Sequence, residues 1–485
     1  MTMHRKVRSS GAANPQHSPR LFWYFAIFTV INALVVFSPV SRAAIVLYPA
    51  SSFLLALFII KRSKPAFVGL ICWLFFLTPF VRRVVDWRGG GFTTVILLAP
   101  FLALTVAALA LVPRWRLAVT RRTTPLFFVL GAILYGTAIA VLHFKVSGLP
   151  QAIIAWFLPL VIAFFIFEER EHSEEIYKGF EHAMVGGLFV IGLYGIYQFF
   201  QLPAWDAQWM IQSDLVSIGL PEPTQVRVFS TMNSPQVFAA FCTGGLLVAL
   251  RSHLRLRYFA VPLGLIALIL SLSRTAWIGL IVGILYLFLI MDNRQRARIV
   301  AVAGSCLIFS LVALQVPEFK TLATQRFSSF TDPSHDSSYN TRVQDYGVVL
   351  RTIAENPFGL GLSSDSDDQA PQANNVAQQD SSITDSVFAL GILGAAIFVL
   401  GSILIGFDIF VGRGHDTAMI GAKATLLAIF AESPFNSVIA GPIAFLLWCC
   451  VGLCLAERER MSAQERHSQP EIAESPLSAS AAPAN

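Results

Sequence analysis

A chain of 485 residues that is 55% hydrophobic and 13% charged, with a mean hydropathy of +0.64, carries too much apolar side chain for a water-soluble globular protein. Its net charge of +6 comes from 35 Lys and Arg against 29 Asp and Glu. The basic residues stand singly or in small groups between apolar runs rather than lining one face, which argues against nucleic-acid binding. All six cysteines (Cys72, Cys242, Cys306, Cys449, Cys450, Cys454) fall inside apolar stretches. There a thiol behaves as a small buried hydrophobe, and neither a disulfide nor a zinc site is expected.

The expected fold is all-α: a polytopic integral membrane protein of about fourteen transmembrane helices (12–14). In chain order the apolar runs fall near 21–37, 43–60, 66–80, 92–112, 125–142, 152–167, 183–200, 236–250, 258–271, 275–291, 299–316, 386–411, 418–431 and 436–456. Several are shorter than the roughly 20 residues that a perpendicular span needs. The first run is longer than the apolar core of a signal peptide and no small-residue cleavage site follows it, so it reads as a helix. Residues 21–456 form one transmembrane domain in this reading. The tails, 1–20 and 457–485, are rich in Ser, Pro, Ala and Gln and read as disordered cytoplasmic segments.

Orientation follows from the basic residues between the runs. With the N-terminus in the cytoplasm and each run crossing once, 23 Lys and Arg lie inside and 11 outside, and Lys423 falls within a span. That bias places both termini inside. The outside positions are Arg42, Arg82, Arg83, Arg88, Lys145, Arg227, Arg274, Lys320, Arg326, Arg342 and Arg351. They run against the bias and are candidates for binding something anionic.

Two long segments lie outside. Residues 201–235, with Trp205, Trp209 and several prolines, read as an interfacial element of the aromatic belt. Residues 317–385 form a large periplasmic loop between the eleventh and twelfth helices, and a loop of that length is expected to be functional. In it Tyr339, Val343, Tyr346, Leu350 and Ile353 recur at helical spacing, with Ser337 or Ser338 as cap and Asn356-Pro357 as the stop. A polar tract, 363–382, follows the turn Pro357-Phe358-Gly359-Leu360-Gly361.

Four motifs stand on the outer side: Arg227-Val-Phe-Ser-Thr-Met-Asn233-Ser-Pro235; Ser271-Leu-Ser273-Arg274-Thr-Ala-Trp; Arg326-Phe with Tyr339-Asn-Thr-Arg342 and, later, Glu355-Asn-Pro-Phe-Gly359-Leu-Gly361; and Asp380-Ser-Ser-Ile-Thr-Asp385 with Leu390-Gly391-Ile-Leu-Gly394. In this order they resemble the O-antigen ligase and polysaccharide polymerase superfamily over about residues 225–395. The element Pro79-Phe-Val-Arg82-Arg83-Val-Val-Asp86 resembles that of exopolysaccharide polymerases. The resemblance implies a GT-C-like membrane glycosyltransferase that uses undecaprenyl-pyrophosphate-linked oligosaccharide as donor and acceptor, in the bacterial inner membrane, with its active site on the periplasmic side. Candidate partners are a chain-length regulator and a flippase. Family ligases carry a His ahead of the twelfth span, where this chain has Asp380 or, with a gap, Asp385. An acidic residue there is closer to polymerases, so the resemblance implies a polymerase, with a ligase as the alternative. A flippase or transporter is the alternative of another class, against which stands the lack of an internal repeat.

The chemistry of the residues points the same way. A pyrophosphate presents anionic oxygens that a forked guanidinium binds two at a time, where a lysine offers a point charge. Nine of the eleven outside positions are Arg. Negative charge grows on the departing phosphate as its bond to the sugar breaks, so arginines placed there favour the transition state. Arg274 and Arg342 are the candidate catalytic cations. Arg227, Arg326, Arg82, Arg83 and Arg88 are further pyrophosphate-binding candidates, the last three having a second reading as interface anchors with Asp86 as counterion. Asp380 or Asp385 is the candidate base for the acceptor hydroxyl. Asp365, Asp367 and Asp368 lack the glycine and distal Glu of a calcium loop, so transfer without metal or cofactor is expected. Lys423 and Glu432, charged within or beside a span, are read as a structural polar contact or a functional pair.

Overall fold

In a bilayer every backbone N–H and C=O must be satisfied within the chain, so apolar runs of this length become helices. The computed structural model describes residues 18–143, 148–213, 218–294, 296–297, 304, 351, 353–362, 381–411 and 419–468. Its helices are α1 (Ser18–Phe37), α2 (Ala44–Ile60), α3 (Lys64–Gly89), α4 (Ala99–Leu111), α5 (Trp115–Ala118), α6 (Thr124–Leu142), α7 (Leu149–Glu168), α8 (Ser173–Gln201), α9 (Ala204–Ser213), α10 (Pro235–Arg251), α11 (Arg257–Leu270), α12 (Arg274–Ile290), α13 (Ser382–Val411), α14 (Ile420–Glu432) and α15 (Gly441–Ser468). Among the described residues the only β-type pairing is an isolated bridge between Gly219 and Val226. The protein is an all-α polytopic membrane protein. Eight of its helical stretches are long and apolar enough to cross a membrane, and four shorter apolar helices accompany them among the described residues. Of the fourteen expected runs, 299–316 lies outside the described residues but for residue 304, and each of the others coincides with a helix.

The main departures from expectation are helices that run on past their apolar cores. Helix α3 starts behind a Ser63 cap, whose hydroxyl accepts the Ala66 N–H at 3.3 Å, and stops at Gly90, which turns left-handed with φ +67°. It carries Arg82, Arg83 and Asp86 inside the helix rather than in a loop. Helix α8 begins ten residues before the expected span, and Glu174 and Glu175 in its first turn suit the positive end of the helix dipole. Helix α15 continues to Ser468, so the first dozen residues of the expected disordered tail are helical. Ion pairs explain that extension: Glu457 accepts from Ser173 Oγ at 2.6 Å and from Arg460 Nε at 2.9 Å, and Arg122 reaches Glu459 at 2.8 Å and Asp408 at 2.9 Å.

The chain divides into two compact units, the first built mainly from residues up to Leu109 with Lys178–Leu280, the second from Ala110–Tyr177, Ile281–Arg296 and the C-terminal part. In the first unit, α3 packs with α1, α2 and α9, and α10 packs on α11. Small residues let helices approach closely here, as membrane packing requires: a Cβ on Gly187 would overlap the Phe76 ring. In the second unit α15 is the most enclosed span, lying against α7 and α14, while α13 lies along α6.

Candidate functional site

The first motif is built around a buried arginine. Arg83 has no exposed side-chain surface, and its Nε lies 2.9 Å from Asp206 Oδ1. Its Nη2 donates to the Ser230 carbonyl at 2.5 Å and its Nη1 to the Met232 carbonyl. The guanidinium also lies over the Phe229 ring, 4.9 Å from its centre. Asp206, on α9, accepts from Gln198 Nε2 at 2.6 Å and from the Tyr194 hydroxyl at 2.9 Å. Burial pushes the Asp206 carboxyl up from its ordinary range, and Arg83 and the two donors oppose that shift. One cation thus ties α3 and α9 to the Arg227–Asn233 segment.

The turn itself is strained and held. Ser230 has φ +53°, a conformation that costs a non-glycine residue about 1–3 kcal/mol and persists only where the surroundings over-determine it. Gln198 supplies that constraint: its Oε1 accepts the Phe229 N–H at 3.1 Å and the Ser230 N–H at 2.8 Å. Ser230 Oγ donates to the Ile191 carbonyl at 2.6 Å. Neither Gln198 nor Asp206 is among the sequence candidates. The signal available was Tyr194 and Gln198, four residues apart on an otherwise apolar span, where polar groups are expensive.

The first two motifs meet. The Val228 N–H donates to the Leu270 carbonyl at 3.2 Å, and Arg227 Nε donates to the Ser271 carbonyl at 3.2 Å. Arg227 is half-buried and stands against the three-residue turn Ser271-Leu272-Ser273. That turn delivers Arg274, also half-buried, as the first residue of α12. A helix N-terminus is already positive, so a guanidinium there adds to a field that favours anions. Four polar atoms in or near these motifs are buried without a hydrogen-bond partner: Thr231 Oγ1, Asn233 Oδ1, Trp277 Nε1 and Arg82 Nη2. Such orphans are rare in a finished core.

The neighbouring arginines have different surroundings. Arg82 is buried, pairs with Asp86 at 3.1 Å and lies 4.2 Å from the centre of the Phe92 ring, while Asp86 also accepts from Thr93 Oγ1 at 3.0 Å. Arg88 is exposed. The reading of Asp86 as counterion fits Arg82. It does not fit Arg83, whose buried partner is Asp206 and which is enclosed by protein rather than exposed as an anchor or open to a pyrophosphate. The aromatic-belt reading of residues 201–235 is corrected too. Trp209 is buried, 5.0 Å from the Phe229 ring, and Trp205 packs against Phe80 and Trp87 and donates to Tyr194.

The third and fourth motifs meet in the second unit. Helix α13 is broken at Gly391, whose φ +64° and ψ −174° are not helical. Pro357–Gly361 fills the break: the Ile392 N–H donates to the Pro357 carbonyl at 3.0 Å, and the Leu360 N–H to the Phe388 carbonyl at 2.8 Å. The loop backbone thereby takes both groups that an unbroken helix would have paired with each other, Phe388 C=O and Ile392 N–H. The turn is fixed on α6 by Tyr135, whose hydroxyl donates to the Phe358 carbonyl at 3.1 Å, and by the Leu362 N–H, which donates to the Gly136 carbonyl at 3.0 Å.

Asp385 is half-buried in the first turn of α13, where an acidic side chain is stabilised by the helix dipole. Three residues earlier, Ser382 ties the helix to the segment after α14. Its Oγ donates to the Asn436 carbonyl at 2.8 Å and accepts the Val438 N–H at 2.9 Å. Ser382→Ala leaves that N–H without its partner and is expected to cost about 1–3 kcal/mol, read as a lowered thermal midpoint in detergent. Glu432 is buried beside this junction: Oε2 accepts from Asn436 at 3.4 Å and Oε1 has no hydrogen-bond partner. Lys423 is buried on α14 and acts electrostatically on Glu457. Arg326, Arg342 and Asp380, with the helix expected over 339–353 save its last turn, lie outside the described residues. Among the described residues no group of three His, Cys, Asp or Glu side chains is placed to hold a metal ion.

Residues 259–399 match the family model of O-antigen ligase. That segment includes the second, third and fourth motifs, so the resemblance drawn from them is supported by an independent comparison. The match points to a glycosyltransferase-like enzyme, with glycan transfer of the ligase or polymerase type, in a bacterial membrane. A comparison with curated proteins found no match.

Proposed function

We propose that the protein is a polysaccharide polymerase. It moves a growing glycan from undecaprenyl pyrophosphate onto the nonreducing end of a lipid-linked repeat unit, at the periplasmic side of the inner membrane and without a metal. The observation that carries this reading is the Arg227 guanidinium's contact with the turn that leads into Arg274, which brings two arginine-bearing segments together at one helix end. In the proposed reaction the acceptor hydroxyl oxygen attacks the anomeric carbon and the bond from that carbon to the phosphate oxygen breaks. The electron pair leaves with the pyrophosphate, and the hydroxyl proton passes to Asp380 or Asp385. Arg274, with Arg342 and Arg227, stabilises the charge growing on the pyrophosphate. Arg83 positions the Ser230 turn, and Arg82 and Arg88 remain phosphate-binding candidates with Arg326.

The test is purified protein incubated with lipid-linked repeat units in metal-free buffer. A ladder of longer products is expected. Arg274→Lys keeps the charge but loses the fork, and chain extension is expected to fall by about tenfold, a loss of about 1.4 kcal/mol of transition-state stabilisation. Unchanged chain length and yield would remove Arg274 from the donor site. The matched family model favours a second reading, a ligase that joins finished polymer to a lipid A core or a protein. Transfer of polymer to an added acceptor, with no ladder from repeat units alone, would establish it instead.

A further inference from the structure

The connection from α4 to α6 carries an arrangement that glycan transfer does not use. Residues 112–122 read Val-Pro-Arg-Trp-Arg-Leu-Ala-Val-Thr-Arg-Arg, with Val112 (69%), Trp115 (54%) and Leu117 (53%) exposed between the arginines. Alternating aromatic, aliphatic and basic residues of this kind settle at a membrane surface. Behind the segment lies an apolar cavity of about 180 Å³, lined by Trp115, Ala118, Phe127, Leu130, Leu160 and Phe164 among others. Apolar cavities stay dry and accept apolar guests.

The charges of the connection are unequal in kind. Arg114 is paired with Glu168 and Glu169 at 3.5 and 3.3 Å, and Arg122 is held by Asp408 and Glu459. Arg116 and Arg121 are exposed, and neither has a hydrogen bond or ion pair with another described side chain. Arg116 sits on α5 between the cavity-lining Trp115 and Ala118. Arg121 follows on the same connection and borders a polar cleft of about 800 Å³ whose carboxylates, Asp408, Glu459 and Glu465, stand with Arg122 and Arg466. One short connection therefore carries residues that line an apolar slot and two exposed guanidinium groups without a described side-chain partner.

We propose that this connection is a binding site for one anionic phospholipid of the surrounding bilayer, with an acyl chain in the cavity and the phosphate between Arg116 and Arg121. Charge complementarity decides the occupant: a zwitterionic lipid brings its own cation to two free arginines, whereas an anionic headgroup does not. The charge bias of the chain puts this end at the cytoplasmic leaflet, where anionic lipid is available to it.

The test uses delipidated full-length protein in detergent, with phosphatidylglycerol or phosphatidylcholine added back. Retained lipid is counted by native mass spectrometry, and the thermal midpoint is followed. Phosphatidylglycerol is expected to give one retained molecule and a raised midpoint at concentrations where phosphatidylcholine gives neither. The double substitution Arg116→Gln/Arg121→Gln touches only exposed side chains. It is expected to fold normally and to lower phosphatidylglycerol retention about tenfold. Leu130→Trp, which fills the slot, is expected to lower retention with both arginines in place. Equal retention of the two lipids, or wild-type retention by the double variant, would overturn the headgroup site. Undiminished retention by folded Leu130→Trp would overturn the chain site.

Discussion

Arg83→Met is expected to destabilise the protein by about 3–5 kcal/mol, the usual cost of stripping one partner from a buried ion pair. The substitution leaves the Asp206 carboxylate enclosed without its cation, and it takes the Arg83 donors from the Ser230 and Met232 carbonyls, leaving the first with Gln198 Nε2 alone at 3.3 Å. The measurement is thermal unfolding in detergent, with glycan transfer recorded on whatever folded protein remains. Removing both charges separates the two consequences. Arg83→Met/Asp206→Leu takes away the uncompensated carboxylate, and such apolar replacements of a buried pair are often close to neutral. The double variant is therefore expected to regain much of the lost stability. It should still transfer glycan poorly, because the turn at Ser230 then keeps only Gln198 and the Ile191 carbonyl and loses its tie to α3. Full activity in the double variant would show that the pair is structural alone.

Gly391→Ala is the second large effect. Its φ of +64° with ψ −174° is a region open essentially to glycine, and strain there costs about 1–3 kcal/mol. A Cβ would also lie 2.5 Å from Gly359 N and 2.6 Å from Phe358 O. Those are backbone atoms that cannot rotate aside, and overpacking adds a further cost of about 1–3 kcal/mol. Pro357–Gly361 must then leave the break in α13 or the helix must shift, so a lowered thermal midpoint and a loss of transfer are expected together. Gly131→Ala is the control. Gly131 is exposed on α6 with open space where a Cβ would go. Alanine there is expected to be neutral or to stabilise by up to about 1 kcal/mol, and a comparable loss at both sites would argue against the packing account.

The helices were legible because each is a run of apolar residues that a bilayer leaves no other conformation. Their ends were less so. Hydropathy stops α3 near residue 80, yet Arg82, Arg83 and Asp86 extend it because each finds a partner, Asp86 for Arg82 and Asp206 for Arg83. Partner choice across more than a hundred residues leaves no local trace in a sequence. The same limit applies at the candidate site. Arg227 and Arg274 were visible as arginines on the side that the charge bias disfavours, and their motifs do meet. Gln198 and Asp206 were not, because a single amide in an apolar span and a single carboxylate in a short amphipathic stretch look incidental until the strained turn at Ser230 is seen against them. The glycines of the third and fourth motifs were visible as a pattern. That one loop would fill a gap in another segment's helical ladder follows only from the fold.

The N-terminal limb of α13 is pinned at both ends, by Ser382 on the Asn436–Val438 segment and by Pro357 at the Gly391 break. Asp385 thus rides on a two-turn strut clamped like a bridge between piers, not on the tip of a free arm. The proposed proton acceptor, mounted this way, surrenders little freedom when an incoming sugar arrives, so whatever it contributes to rate is built in beforehand rather than assembled at each turnover.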